Sequence, residues 1–472
     1  MSWALLYLIS EWMIRICMLV HVPRRRTPSA ARMWLMLIFL LPLPGLLVYA
    51  VFGRPRLPKR RVELQHSVSD LLPEAHRRKE GHAVPLSGEL RTELKQAVTL
   101  ALNLGDFGIC ENNDIELLED YRGIIDRIVA DIEAAQYHVH LLYYVFAEDD
   151  VGSGIARALE RAVHRGVKCR VMMDGVGSRA ALPRLATAMR ASGVDVTTLL
   201  PVGWFSRKNA RLDMRNHRKI TVIDGRVGYF GSQNMVAPES ARGYTNEELV
   251  ARVTGPLVAQ LQAVFLMDLY CETETLLQGA DLFPDIAGVG SIPAQVLPSG
   301  PTYPNRNAHE IIVALMYAAR HRIVITTPYF IPDEPFIQAM RAAVRRGVEV
   351  HLVVSQQSNQ LLVHLAQKSY YEELLGAGVR VHLYSGNFLH AKHLTIDDSV
   401  AMIGSSNMDI RSFTLNSEVS VLIYESRFVA KLLVIEERYF AKSHILSSEE
   451  WEQRPLWAQC VQNIARLADS FL

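Results

Sequence analysis

The sequence predicts an α/β protein of two pseudo-symmetric lobes, each a mixed sheet flanked by helices, behind an N-terminal membrane-anchoring helical segment. Three observations predict it: a basic apolar head, a strand–helix–strand phrase written twice, and a His-x-Lys constellation that closes both copies. The chain has 472 residues, 49% of them hydrophobic. That is chain enough for a large core and about three units of roughly 150 residues each. With 50 Lys and Arg against 49 Asp and Glu, the net charge is +1, and with so high an apolar content whole-chain disorder is excluded.

In the head, residues 1–61 hold ten basic side chains and one acid, Glu11, leaving 40 basic and 48 acidic residues for the remainder. A basic head on an acidic body suits a membrane surface and disfavours nucleic acid, whose phosphates need clustered cations. Residues 33–52 run without a charge for the length of a bilayer span. Residues 3–20 form another apolar run, interrupted by Glu11 and Arg15, which are four apart and able to pair on one helical face. Arginines flank 33–52 on both sides, and Pro42, Pro44 and Gly45 break its centre. Two ordinary spans with a basic outer loop satisfy this pattern; so does a re-entrant hairpin that keeps both basic clusters in the cytoplasm. A cleaved signal peptide is not expected, since no basic start precedes the first run and no small-residue cleavage site follows it. The five cysteines (Cys17, Cys110, Cys169, Cys271, Cys460) are far apart, which argues for a reducing compartment and against a disulfide framework.

The body follows a polar connector with some helix. Apolar runs at 138–146 and 322–330 each end in aromatics, Tyr144 and Phe146 or Tyr329 and Phe330. Each leads to a helical pattern that closes on a similar phrase, Arg161-Ala162-Val163-His164-Arg165-Gly166-Val167 or Arg341-Ala342-Ala343-Val344-Arg345-Arg346-Gly347-Val348. The glycine stops the helix and a β-branched strand follows. A further strand begins at Gly193-Val194 or Gly378-Val379. Strand–helix–strand units with short connections imply parallel pairing under a cover of helices. The chain therefore divides into a membrane anchor (1–61), a connector (62–114), a first lobe (115–278), a Gly- and Pro-strewn linker (279–304) and a second lobe (305–472).

Both lobes carry one constellation: His217-Arg218-Lys219, then Asp224, then Gly231-Ser232-Gln233-Asn234; and His390-Ala391-Lys392, then Asp397, then Gly404-Ser405-Ser406-Asn407. Farther on, Asn246-Glu247-Glu248 aligns with Asn416-Ser417-Glu418. The residues after each histidine read as a strand, whose period of two puts His217 beside Lys219 and His390 beside Lys392. His, Lys and an amide converging on one point suit a tetrahedral phosphoryl group: lysine and asparagine donate to its oxygens, and histidine attacks phosphorus or moves a proton. One His-x-Lys alone is usually a solvated edge. Two in matching register are not.

These motifs resemble those of the phospholipase D superfamily, whose paired His-x-Lys-x4-Asp sequences build one active site between two lobes. The N-terminal apolar segments with Pro42-Leu43-Pro44-Gly45, the basic run after them, and the stretch Asn407-Met408-Asp409-Ile410-Arg411-Ser412-Phe413 resemble its bacterial cardiolipin synthase branch. The resemblance implies an inner-membrane enzyme with its body on the cytoplasmic side. It would transfer a phosphatidyl group between two phosphatidylglycerols through a phosphatidyl-histidine, with no cofactor and no metal. His217 is then the nucleophile and His390 the acid/base, an order supplied by the resemblance alone. Lys219, Lys392, Asn234, Asn407, Ser232 and Ser405 bind substrate, Glu248 and Glu418 orient the histidines, and Asp224 and Asp397 complete the catalytic motifs by supporting the turn and the lysine. The family commonly has Gly-Gly-x-Asn where this chain has Gly231-Ser232-Gln233-Asn234, Trp-x-Asp in place of Asn246-Glu247-Glu248, and an aromatic before the second acid. A carboxylate survives at each place, so the chemistry stands, while phosphatidylethanolamine, an alcohol or water remain alternative reactants.

Three weaker features complete the reading. Arg207, Lys208, Arg211 and Arg215 are placed to meet lipid phosphates or to form a solvated loop, and Trp204-Phe205 to dip into an interface or to join the core. Residues 450–472 read as an amphipathic helix packed on the second lobe.

Overall fold

The computed structural model describes residues 3–26, 28–53, 59–71, 91–202, 213–239, 243–286, 288–303 and 306–467. Its N-terminal part is three helices, Trp3–His21, Pro28–Leu40 and Pro42–Phe52. Among the described helices Trp3–His21 alone is long and apolar enough to cross a membrane, and it is the candidate anchor. Residues 33–52 are not one straight span. The helix stops at Leu41, and Pro42 and Pro44 open the next one, where a missing N–H costs nothing. The two helices fold back on each other: a Cβ on Gly45 would lie 2.9 Å from Ile38 Cα, and the Trp34 ring meets Tyr49 edge-on at 5.1 Å. Helices Pro28–Leu40 and Pro42–Phe52 thus form a helical hairpin. Arg15 pairs with Glu11 at 3.3 Å and donates to the Phe39 carbonyl, so the charges inside the first run are satisfied within the bundle.

The body holds nineteen strands among the described residues. In the first lobe these are β1 (Cys110–Leu118), β2 (His138–Tyr143), β3 (Lys168–Asp174), β4 (Asp195–Leu199), β5 (Ile220–Ile223), β6 (Val227–Gly231), β7 (Asn246–Glu247) and β8 (Val250–Thr254). Then come β9 (Ile292–Ser299), β10 (Arg322–Thr326), β11 (Phe330–Ile331), β12 (Glu349–Ser355), β13 (Arg380–Tyr384) and β14 (Phe388–Leu389). The last are β15 (His393–Ile396), β16 (Val400–Gly404), β17 (Met408–Asp409), β18 (Glu418–Ile423) and β19 (Ser443–Ile445). Fifteen of them form one sheet in the order β19-β13-β12-β10-β15-β16-β18-β9-β1-β8-β6-β5-β2-β3-β4. The order β4-β3-β2-β5-β6-β8-β1 repeats as β13-β12-β10-β15-β16-β18-β9, with the first three strands parallel and the others antiparallel in each copy. The helices Asp150–His164 and Glu334–Arg345 are each followed two residues on by a glycine at positive φ, Gly166 and Gly347, as the repeated phrase predicts.

The joint differs from the expected linker. Within 279–304 lies β9, wholly buried at the centre of the sheet and paired with both β18 and β1. Its prolines argued against a strand. The structure shows why Pro298 is tolerated: the Val296 N–H goes to Gln260 Oε1 instead of a ladder, so Pro298, two residues on and facing the same way, gives up no strand bond. Likewise β1 begins inside the expected connector. Side chains along β2 alternate between faces, Val139, Leu141 and Tyr143 packing with helices Tyr121–Ala134 and Asp150–His164, and Leu142 with helix Leu257–Thr273. That second cluster also takes Val324 and Phe428 from the other lobe, so one core runs across the joint.

Candidate active site

The two motifs meet where the lobes exchange short strands. β14 runs parallel to β7, pairing Leu389 with Glu247, and Asn216 bridges Ser417 in the same sense. These pairings place each histidine just ahead of its strand and not within the ladder. The His390 N–H donates to the Glu247 carbonyl and the His217 N–H to the Ser417 carbonyl, both at 2.8 Å. The next residue in each case is the aligned glutamate. His217 Nδ1 therefore lies 3.0 Å from both carboxylate oxygens of Glu418, and His390 Nδ1 lies 2.7 and 2.9 Å from those of Glu248. The pairing is crossed: each imidazole is held by a carboxylate of the opposite lobe.

Ser232 and Ser405 serve these carboxylates. Each is fully buried; Ser232 Oγ donates to Glu248 and Ser405 Oγ to Glu418, while accepting the N–H of Leu249 or Val419. The sequence reading gives these serines to the substrate; in the structure their hydroxyls lie against the glutamates that hold the histidines. Asp224 and Asp397 also have another task. Register pairs Ile223 with Val139, so Asp224 sits at the far end of β5 from His217, where it accepts the N–H groups of Gln136, Tyr137 and His138. Asp397 does the same for Arg320, His321 and Arg322 and pairs with Arg91. Both aspartates anchor the start of a central strand and neither touches its lysine.

Lys219 and Lys392 are buried, each donating to the carbonyl of its own histidine, at 2.7 and 2.5 Å. Tyr144 stands edge-on to the His217 ring at 4.9 Å, and Phe388 stacks on His390 at 5.9 Å. Asn234 takes the Val145 N–H on its Oδ1 at 3.1 Å; Asn407 Oδ1 is buried with no protein partner among the described residues. The electrostatics tie the motifs into one site, since Lys392 acts on His217 and Lys219 on His390. Burial pushes His217 down to about 4 against the pull of Glu418, and lowers His390 against that of Glu248. Burial also lowers Lys219 to about 8 and Lys392 to about 7. It presses upward on Glu248 and Glu418, but their histidines and lysines outweigh it and hold both carboxyls below the usual range. The free site thus has two neutral imidazoles facing two carboxylates, instead of one neutral and one protonated ring. Among the described residues no three His, Cys, Asp or Glu side chains are grouped as metal ligands.

Sequence reading missed Arg218. The residue between His217 and Lys219 is buried and crosses to the other lobe, donating to the carbonyl of Glu418 at 3.0 Å and pairing with Asp268 at 2.7 Å. Asp268 also receives Asn216 Nδ2, so two neighbours of His217 share one buried carboxylate. Losing one member of such a pair costs about 3–5 kcal/mol. The only signal in the sequence was a charged residue on the inward side of an apolar strand. Arg215, expected near lipid phosphates, is buried against Asp174 and the Leu200 carbonyl. Trp204, Phe205, Arg207, Lys208 and Arg211 lie outside the described residues.

A family model described as cardiolipin synthase, PLD-like domain, matches residues 128–269 and 312–439, and one described as Phospholipase D-nuclease N-terminal matches 12–54. The cardiolipin synthase A of Pectobacterium atrosepticum is 31% identical over 98% of this chain and 97% of its own length. That of Yersinia pestis is 30% identical over the same shares. In fold, the chain is similar to the crystal structure of phosphatidylserine synthase from Haemophilus influenzae Rd KW20, with TM-score 0.62 and 15% identity over 81% of this chain and all of that one. With full-length relatives, two matched motif regions and a duplicated fold in agreement, the chain belongs to the cardiolipin synthase family of the phospholipase D superfamily and is a phospholipid-processing phosphatidyltransferase.

Proposed function

We propose that this enzyme makes cardiolipin by moving a phosphatidyl group from one phosphatidylglycerol to the glycerol hydroxyl of another. The observation that supports the reading most is that Nδ1 of each histidine is engaged by a carboxylate, which fixes the tautomer and leaves Nε2 for chemistry. In the first step His217 Nε2 bonds to phosphorus, the bond from phosphorus to the departing glycerol oxygen breaks, and His390 gives that oxygen a proton. In the second, His390 takes the proton of the incoming hydroxyl, its oxygen bonds to phosphorus, and the P–N bond breaks. Lys219, Lys392, Asn234 and Asn407 hold the phosphoryl oxygens as charge builds. His390 must be protonated for the first step although burial lowers it; the bound phosphodiester anion restores that proton by its own charge.

The anchor supports a body on the cytoplasmic side of the bacterial inner membrane. A hairpin over 28–52 brings Arg24, Arg25 and Arg26 to the same side as the helix Lys59–Leu71, as positive-inside retention requires. That helix is tied to the body through Arg61–Glu272 and Arg60–Glu274, at 2.6 and 2.5 Å. The purified protein in phosphatidylglycerol vesicles should yield cardiolipin and free glycerol in equal amounts. Phosphatidic acid as the main product would replace transfer with hydrolysis, and no turnover would end the enzymatic reading.

The pH dependence has a definite sign. Lysines at about 7 and 8 lose their charge as pH rises, and with it their hold on the phosphodiester. So kcat/KM should fall on the alkaline side of neutrality. On the acid side it should persist until His217 protonates, at about 4. Steady-state rates across that range check this; a kcat/KM rising steadily above neutrality would contradict it.

A further inference from the structure

The helix expected over 450–472 is divided: Ser448–Glu452 ends before Pro455, and the last described helix, Leu456–Arg466, packs on Leu361–Ser369 of the second lobe by one face only. Gln462 and Ala465 point inward, and Arg466 lies over the Tyr370 ring at 4.1 Å and pairs with Glu373. The opposite face is apolar and open: Trp457 and Ile464 are 70% and 66% exposed, with Leu456 and Val461 beside them. At 100° per residue these four fall on one stripe, with the exposed Cys460 in its middle. Exposed Leu361 and Leu362 open the neighbouring helix. That helix start is coupled to the second motif. Tyr329 bonds Asn359, the Tyr329 ring packs on Phe388 at 6.3 Å, and Phe388 stacks on His390.

We infer that this stripe lies in the polar–apolar interface of the lipid bilayer and turns the His390 side of the site toward its substrate. Three features choose lipid as the occupant. The chain carries an apolar, outward-facing helix of membrane-crossing length, so lipid is the apolar phase this protein is already built to meet. The helix has one charged residue, Arg466, and holds it against the body, so nothing on the stripe repels an anionic lipid surface. A tryptophan on an amphipathic helix is suited to the headgroup level. The inference rests on the proposed function for the identity of the lipid but not for the contact itself.

The test uses the full chain, with Cys17→Ser, reconstituted in phosphatidylglycerol vesicles and labelled at Cys460 with an environment-sensitive fluorophore. Blue-shifted emission that brominated phosphatidylglycerol quenches is expected. Water-like emission without quenching overturns the inference, as does self-quenching between labelled copies that bromolipid leaves unchanged, which would mean that a second copy covers the stripe. In parallel, Trp457→Ser with Ile464→Ser should lower turnover on vesicles about tenfold while sparing turnover of monomeric short-chain phosphatidylglycerol. Equal losses on both substrates would refute an interfacial role. Were no phosphatidylglycerol turned over at all, the proposed function would fall while the quenching arm still decided the contact.

Discussion

Alanine at either His217 or His390 is expected to lower turnover by roughly 10^4-fold or more, while the body stays folded and vesicle binding is retained, with a lower melting temperature because a buried carboxylate loses its partner. Each side chain keeps only a small exposed edge, 12% for His217 and 11% for His390, and its loss removes the ring that the proposed mechanism uses. The two variants should fail differently. With a phosphodiester whose leaving group needs no proton, His390→Ala should still form a phosphatidyl-enzyme that denaturation at mildly alkaline pH traps, and His217→Ala should form none. The opposite pattern would exchange the two roles. Full activity in either variant would dismantle the shared site.

The next largest effect is expected one bond farther out. Glu418→Gln and Glu248→Gln keep shape but remove the charge that holds each imidazole, and losses of roughly 10^3–10^4-fold are expected by comparison with the buried aspartate of hydrolytic triads. A structural role would show in stability alone. A positioning role should also move the pH profile: both carboxylates favour the charged form of Lys219 and Lys392, so without either one the alkaline fall of kcat/KM should shift to lower pH. Because Glu418 acts on His217 and Glu248 on His390, His217→Ala combined with Glu418→Gln should cost little more than His217→Ala alone. Additive losses in that pair would mean the crossed contacts do not operate in catalysis.

What could be read in advance was whatever repeats along the chain. The glycines that stop two helices, the parallel strands after them and the paired His-x-Lys motifs were legible because local spacing carries them. Crossing was not. Nothing near Glu248 says that its histidine lies 142 positions away, because that is settled by β14 pairing with β7. The serines after Gly231 and Gly404 were read as substrate ligands for want of that partner; once a carboxylate sits beside them, a hydroxyl has a closer acceptor. β9 escaped because its prolines outweighed its apolar residues locally, and only Gln260, from a helix of the other lobe, explains how Pro298 is accommodated. Asp224 and Asp397 were placed with the chemistry because they belong to the motif in sequence, although four strand residues carry them to the opposite end.

The crossed carboxylates make the pocket a two-fold interface whose partners happen to be one polypeptide. In a true homodimer both sides would have to stay identical, and a donor lipid could not be told from an acceptor. Fusion lifts that constraint: Arg218 stands where the other copy has Ala391, so the two otherwise matched histidines already sit on unequal foundations. Such broken symmetry lets near-identical halves take opposite duties, as the proposed transfer between two like lipids requires.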